Sequence, residues 1–289
     1  MAQELINRIN TIVEKAESRL ETAITKTQKQ LFDKMQAYLS KLKLDADGNI
    51  IQSQENRKIL QRAGNIFDKA IKDSGYYSAL NDYSGAILTI TDANEAYFAT
   101  ILDAFTIDAQ YLKALQKGTI GTIESLLANE GLEVQLKKPL LDILNQNINS
   151  GASLSDLTRQ VQEFIKGTAD IDGKLMRYSK QISRDTLFNY SSALQESISQ
   201  NAGLVWYFYQ GGIMGDSRDF CAARAGKYFP KAEVESWASQ SWQGKRQGTT
   251  SSTIFIYRGG YNCLHSLIPV SEAIVPKSAI ERAKELGYI

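Results

Sequence analysis

The chain has 289 residues, of which 43% are hydrophobic and 22% charged, an ordinary composition for a globular protein of one or two domains. Lys plus Arg number 33 against 32 Asp plus Glu, and this balance argues against a dedicated DNA-binding protein, whose affinity comes mainly from neutralising phosphates. Two cysteines are too few for a secreted disulfide framework, and no run of about 18 apolar residues predicts a membrane span, so we expect a protein made in a reducing cytoplasm.

The N-terminal residues predict one long helix. All four prolines lie at or after Pro139, which permits long helices before it. Apart from a step at Thr27, apolar residues recur three and four apart through the first forty positions, with Lys, Glu, Gln and Arg on the other face. This apolar stripe comprises Leu5, Ile9, Ile12, Ala16, Leu20, Ala23, Leu31, Met35 and Leu39. So thin a stripe needs a covering surface, either later helices or another subunit, and we expect it to supply much of the contact with a partner protein.

The next segments alternate turns and helices. Asp45–Gly48 resembles the start of a calcium loop, but the twelfth position is Asn56 instead of glutamate, so the pattern favours a polar turn. Further helices are predicted from Pro139, after the capping candidates Ser153 and Ser155, and in the ranges 56–73, 92–116, 119–129 and 175–200.

The character of the sequence changes after Gly203. The aromatic and β-branched run 204–209 predicts a strand, and Ile254–Tyr257 is a second strand candidate. A short helix over 231–237 and a polar loop over 239–253 separate them. The fold class is therefore mainly α, with long N-terminal helices forming an all-helical region (1–170) followed by a small α+β C-terminal domain (171–289).

Three segments of the second region resemble the phage head-morphogenesis family of minor head proteins (Mu F-like). The first is Arg184-Asp-Thr-Leu-Phe-Asn-Tyr190, followed by Ala193. The second is Asp216-Ser-Arg218-Asp-Phe-Cys221, followed by Gly226-Lys-Tyr-Phe. The third is Arg258-Gly259-Gly260-Tyr-Asn262-Cys263-Leu-His265, followed by Pro269-Val270. The resemblance covers about residues 172–272 and implies that these residues form a structural motif.

The same resemblance implies a function. Members are minor head proteins that associate with the portal and act in head assembly or DNA delivery. We therefore expect a structural, non-enzymatic component of a tailed-phage head, made in the host cytoplasm, present in several copies in a symmetric assembly and not bound to a membrane. The expected partner is the portal protein; the major capsid or scaffold protein and, indirectly, packaged DNA are further candidates.

The chain departs from the family pattern at several positions. Ala223–Ala225 stand where many members carry a second cysteine, and Leu264 replaces an arginine. Many members place a histidine before their cysteine, whereas Cys263 here precedes His265. These departures count against carrying a metal site over from the family.

All the cysteine and histidine of the chain lie in the resembling segments. Cys221, Cys263 and His265 are a candidate zinc set, with Asp216 or Asp219 as a fourth ligand. Cys263 and His265 face the same side if the chain is extended there. The alternative is two buried thiols and a hydrogen-bonded histidine with no metal. Asp216 is expected to form the turn before Cys221 and Arg218 to clamp a carboxylate or carbonyl.

An enzymatic function stays open as the alternative. Cys221 or Cys263 with His265 could form a nucleophile–base pair, although no hydrolase signature surrounds them. The polar run Thr249–Thr253 is similar to the Ser-Thr-Ser strand of ADP-ribosyltransferases, but no Glu-x-Glu or Gln-x-Glu follows it. The alternative reading of the chain is thus a toxin-like enzyme.

Overall fold

The computed structural model describes residues 2–289, and most of them are helical. The first eight helices are α1 (Ala2–Leu39), α2 (Gln54–Asp73), α3 (Tyr76–Ile101), α4 (Ala109–Leu127), α5 (Glu130–Leu132), α6 (Lys138–Ser150), α7 (Leu154–Lys166) and α8 (Lys174–Asn201). A π-helical turn, Glu133–Lys137, joins α5 to α6. Such turns accommodate a break in the hydrogen-bond ladder, here just before Pro139.

A small antiparallel sheet follows the long helices. The remaining elements are β1 (Trp206–Gln210), α9 (Asp219–Ala222), β2 (Lys227–Pro230), α10 (Lys231–Ser236), α11 (Ile254–Tyr257), β3 (Ser266–Val270) and α12 (Lys277–Glu285), with 3₁₀ turns at Trp237–Ser239 and Glu272–Ile274. The strand order is β2-β1-β3, with Phe208 opposite Tyr228 and Ile268. The predicted fold class, mainly α with a small C-terminal α+β part, is confirmed.

The contacts of the chain define two compact units. Unit 1 comprises the residues up to Glu14 together with Gly85–Thr119 and Arg184–Ile289. Unit 2 comprises Lys15–Ser84 and Ile120–Ser183. Each unit therefore draws on separate stretches of the sequence. The predicted division into 1–170 and 171–289 is a division along the sequence and stays a prediction.

The apolar stripe of α1 is buried. Leu5, Ile9, Leu20, Met35 and Leu39 are each no more than 5% exposed, and the stripe is widened by other buried apolar residues of the helix. The fold of the chain itself therefore covers most of the stripe, with Ile12 and Ala23 only partly buried. That the helical region contacts a partner protein stays a prediction. The sequence allowed two covering surfaces, later helices of the same chain or another subunit. In the structure, the chain's own later elements cover most of the stripe.

The helices differ from the prediction between residues 76 and 127. α3 begins at Tyr76 and ends at Ile101, and α4 begins at Ala109, so the predicted helix 92–116 is wrong. Asp108 starts α4 because its carboxylate accepts the backbone N–H groups of Gln110 and Tyr111 at 2.8 and 3.1 Å. The predicted cap Ser153 is confirmed: its hydroxyl accepts the N–H of Asp156 at the start of α7.

Two short segments show how local hydrogen bonds decide conformation. The polar turn at Asp45 is confirmed, since its carboxylate accepts the N–H groups of Asp47 and Asn49 at 3.0 and 2.8 Å. The strand predicted at Ile254–Tyr257 is wrong, because these residues form the helical turn α11. Ile254 and Phe255 are both buried within this turn.

The alternation along β1 creates two apolar clusters. Tyr207 and Tyr209 face one cluster, and Trp206 faces the other, against Val270 and α12. The first cluster contains Tyr207, Tyr209, Phe220, Cys221, Phe229, Val234, Trp237, Ile254, Phe255, Cys263 and Leu267. Both cysteines therefore lie in the core beneath the sheet. Within residues 2–289, no helix combines the length and apolar composition that crossing a membrane requires.

Candidate metal centre

Two distant segments bring the thiols and the imidazole together. Cys221 lies on α9, and Cys263 and His265 lie in the extended stretch that leads into β3. The two Sγ atoms are 3.9 Å apart, and Cys263 Sγ is 4.0 Å from His265 Nδ1. One ligand atom from each residue lies within 4.8 Å of the other two, and all three residues are buried. This thiol–imidazole cluster could hold a metal ion.

Tyr209 of β1 lies directly against the cluster. Its hydroxyl donates a hydrogen bond to Cys221 Sγ at 3.3 Å and lies 4.0 Å from Cys263 Sγ. Its ring stacks on the His265 ring at a centroid distance of 5.3 Å. Burial, and then the neighbouring thiols, raise the pKa of Tyr209 well above its usual range, so the phenol stays protonated and acts as a donor.

The two thiols have unequal acidities. The hydrogen bond with Cys221, together with His265 and the Arg258 guanidinium, holds the pKa of Cys263 well below its usual range despite burial. The same hydrogen bond, with burial, raises the pKa of Cys221. The two thiols therefore titrate as one pair, and the hydrogen bond between their sulfurs stabilises the singly deprotonated form.

One nitrogen of His265 is left without a partner. The residue is 4% exposed, and in the described chain its Nε2 is buried with no hydrogen-bond partner. The ring lies flat on the backbone of Gly211: a Cβ placed on this glycine would stand 2.4 Å from His265 Cδ2. A buried polar nitrogen without a partner is costly, so the site favours a further ligand or donor there.

Gly259 allows the backbone of the third segment to approach both sulfurs. A Cβ built on Gly259 would lie 2.4 Å from Cys221 Sγ and 2.7 Å from Cys263 Sγ, closer than real Cβ contacts allow. The glycine that the resemblance identified is thus required by the packing of the thiols. It also accepts a hydrogen bond from the Trp242 indole at 2.9 Å.

Replacing Gly259 by alanine is expected to lower the free energy of unfolding by about 1–3 kcal/mol, because the added methyl group overpacks the two sulfurs. Chemical denaturation of the full chain measures the change. Gly212→Ala is the matched control, since a Cβ there meets nothing within 4 Å. Equal losses for the two variants would contradict the close-packing argument.

Arg218 joins the second segment to the third. Its guanidinium donates one hydrogen bond, to the carbonyl of Tyr261 at 2.6 Å. The sequence predicts a bidentate clamp on a carboxylate or carbonyl, so the carbonyl partner agrees and the bidentate geometry does not. Gly260, with φ of 99°, adopts a backbone conformation that favours glycine, and its position leaves no room for a Cβ beside the Gly244 carbonyl. Asn262 also has a positive φ of 54°, which asparagine tolerates better than most residues.

The first and third segments are joined by two groups of hydrogen bonds. The carboxylate of Asp185 accepts the N–H of Asn262 at 3.2 Å and pairs with Arg246 at 2.8 Å. Arg258, 1% exposed, donates to the Phe188 carbonyl, to Ser192 and to Asn189.

Arg184, in contrast, lies at the edge of this arrangement. Its guanidinium is 3.9 Å from Glu14, and its side chain is 33% exposed. The structure thus leaves Arg184 partly exposed, while the residues after it in the first segment carry the contacts.

The two aspartates that the sequence offers as a fourth ligand lie outside the buried cluster. Asp216 and Asp219 are both exposed, and neither belongs to the group of ligand atoms that converge. The turn before Cys221 is closed by Ser217, whose hydroxyl accepts the Met214 N–H at 2.8 Å, where the sequence predicts Asp216. Gly226, with φ of 75°, forms the turn into β2 and donates its N–H to the Tyr209 carbonyl at 2.9 Å.

A cavity of about 360 Å³ opens onto the cluster. Its lining includes Cys221, Cys263 and His265 together with Asp216, Ser217 and Arg218. The polar run Thr249–Thr253 does not line this cavity. It forms a turn in which Thr250 and Thr253 exchange hydrogen bonds, within the predicted polar loop 239–253, and not the strand of the enzyme alternative.

Sequence reasoning missed three residues of the site: Tyr209, Asp185 and Arg246. The position of Tyr209 could have been predicted from the sequence, because the alternation of a strand places it on the face opposite Trp206. Asp185 stands inside the first resembling segment, next to Arg184. No local pattern marks Arg246, whose partner Asp185 lies far away in the sequence.

Comparison with protein-family models, with curated proteins and with solved structures finds no match to this chain. The geometry by itself supports one general statement about the site: a buried group of two thiols and one imidazole could hold a metal ion.

Proposed function

We propose that this chain is a structural minor head protein of a tailed phage, associated with the portal and acting in head assembly or DNA delivery. The proposal rests on the three segments that resemble the head-morphogenesis family. Its function would be architectural, with the virion head as its location and the portal protein as its principal partner.

The observation that carries the proposal is that the three segments contact one another. Asp185 of the first accepts the N–H of Asn262 in the third, and Arg258 of the third donates back to the helix of the first. Arg218 of the second donates to the Tyr261 carbonyl of the third. Three segments of one motif are expected to contact one another. Interlocking supports a shared fold-defining motif.

The chemistry of the motif supports an architectural role. The Asp185 carboxylate and the Nη1 and Nη2 groups of Arg258 are engaged by partners of the same chain, while Arg258 Nε is buried without one. The thiol–imidazole cluster lies in the core, with Cys221 and Cys263 no more than 3% exposed. Within the proposed function, the cluster stabilises the domain, and a structural zinc ion is the form of stabilisation that we propose.

We expect the chain to be a component of the phage particle. Mass spectrometry of gradient-purified virions should detect it, or should detect it in proheads if it leaves on maturation. An abundant host protein of similar mass serves as the control for contamination and should be absent. Failure to find the chain in either particle would refute the proposal.

A second measurement separates the proposed function from the enzymatic alternative. If Cys221→Ala or His265→Ala gave a normally folded and normally incorporated protein that had lost a hydrolase or transferase activity, these residues would be chemical and the architectural role would be wrong.

A further inference from the structure

We propose that Cys221, Cys263 and His265 bind one zinc ion whose fourth coordination position faces the cavity and takes an exchangeable water or small anion. This deepens the zinc site named under the proposed function by giving it an open coordination position, and it does not depend on the phage assignment. A purely structural zinc site is closed by four protein ligands, whereas the arrangement here supplies three.

The separations of the ligand atoms fit a tetrahedral ion. With Zn–S near 2.3 Å and Zn–N near 2.0–2.1 Å, neighbouring ligand atoms of a tetrahedron are about 3.5–3.8 Å apart. The observed separations are 3.9 Å between the sulfurs and 4.0 Å between Cys263 Sγ and His265 Nδ1. The third separation, between Cys221 Sγ and the imidazole, is at most 4.8 Å. Adjustments of a few tenths of an ångström along the first two edges, and of up to about 1 Å along the third, would bring the ion into bonding distance of both sulfurs and the ring nitrogen.

The surroundings of the sulfurs suit bound thiolates. Tyr209 donates a hydrogen bond to Cys221 Sγ, and the buried Arg258 guanidinium places positive charge near Cys263. Partners of this kind orient metal ligands and tune their basicity. Zinc also prefers sulfur and imidazole ligands over the oxygen ligands that magnesium and calcium require.

Within residues 2–289, no further His, Cys, Asp or Glu side chain joins the three converging ligand atoms. The Tyr209 hydroxyl contacts the sulfurs as a hydrogen-bond donor to Cys221 Sγ. Asp216 and Asp219 are exposed and stand outside the converging group. The three ligands line the cavity together with Asp216 and Arg218, so the fourth position opens onto a polar space that a water or a small anion can enter.

A disulfide is the competing state of the two thiols. The sulfurs are 3.9 Å apart, well beyond the roughly 2.05 Å of an S–S bond, and both cysteines are free. The structure therefore has the reduced pair that zinc requires, and disulfide formation is an outcome that the experiment must detect.

The test uses the full chain without a histidine tag, because His265 is the sole native histidine. Reduced, metal-free protein is titrated with Co²⁺ alone and followed by absorption spectroscopy, and zinc is then added as competitor. We expect one Co²⁺ per chain, with thiolate charge-transfer bands and the intense visible bands of a four-coordinate ion, and displacement by zinc. No binding, or thiols that prove to be oxidised in protein prepared under reducing conditions, would overturn the proposal.

Azide tests the fourth position. Adding azide to the Co²⁺ protein should change the visible bands, because the anion replaces water. A spectrum insensitive to azide would overturn the open position even if the metal binds. Asp216→Ala should leave binding and the azide response unchanged; weaker binding in this variant would instead identify Asp216 as the fourth ligand and overturn the proposal.

Variants of the ligands and of Tyr209 complete the test. Cys263→Ser and His265→Ala should lose stoichiometric binding, and unchanged binding in both would contradict the assigned ligands. Circular dichroism establishes that each variant is folded. Tyr209→Phe keeps the ring and removes only the hydroxyl that donates to Cys221, so Co²⁺ affinity should fall about 10–100-fold while one ion per chain still binds.

Discussion

Replacing Leu20 by alanine is expected to lower the free energy of unfolding by about 2–5 kcal/mol, because the side chain is 1% exposed and its loss leaves a cavity in the core. Chemical denaturation followed by circular dichroism measures the loss. This effect is large because the apolar stripe of α1 is covered by the chain itself.

Arg19→Ala is the matched control for this prediction. Arg19 is the neighbouring residue on the same helix and is exposed, so its replacement should change stability by no more than about 0.5 kcal/mol. If Leu20→Ala were equally harmless, the stripe would be available to a partner after all. A large loss for Leu20→Ala would therefore also indicate that the buried stripe of α1 is not the surface that contacts the portal in the proposed function.

Replacing Arg258 by methionine is expected to lower the free energy of unfolding by about 2–4 kcal/mol. The guanidinium is 1% exposed and donates to Phe188 O, Ser192 and Asn189, and the substitution leaves these acceptors without their donor while keeping most of the apolar volume. Unfolding of unit 1 can be followed by the fluorescence of its three tryptophans, which all lie after residue 205.

Two variants bracket the Arg258 prediction. Arg177→Met changes an exposed arginine on α8 and should have little effect. Arg258→Lys keeps the charge but loses the planar fork, so an intermediate loss is expected. A loss for Arg258→Met no greater than for Arg177→Met would show that the third segment is not held to α8 by this side chain.

The metal proposal and the proposed function can fail separately. If the chain is found in particles but binds no Co²⁺, the motif is held by hydrogen bonds and apolar packing alone. If the chain binds one ion but is absent from particles, the cluster is a metal site in a protein of another function. Both results are informative because the Co²⁺ titration requires no phage, and the particle analysis requires no metal.

The long helices could be predicted from the sequence because their cause is local. The three-and-four spacing from Leu5 to Leu39 specifies a helix whatever surrounds it, and Ser153 caps α7 through its own neighbouring N–H groups. The end of α3 and the start of α4 were predicted less well. The periodic pattern is continuous through this region, whereas the Asp108 side chain caps the start of a separate helix.

Short segments depended on their surroundings. Ile254–Tyr257 has the composition of a strand, but β1 already has β2 and β3 on its two edges. With no free edge beside β1, these apolar residues are buried through a helical turn instead. Four residues carry too little periodicity to distinguish the two outcomes from sequence.

The sequence by itself determined the helical class, the change of character after Gly203, and the confinement of every thiol and the imidazole to two short segments. Only the tertiary structure decided that most of the α1 stripe is covered, that Tyr209 contacts the sulfurs, and that Asp216 is exposed and outside the converging ligand atoms. The physical reason is the range of the interactions. Helical periodicity and capping act within a few residues, whereas Cys221 and Cys263 are brought together across 42 positions by the packing of a sheet and its core.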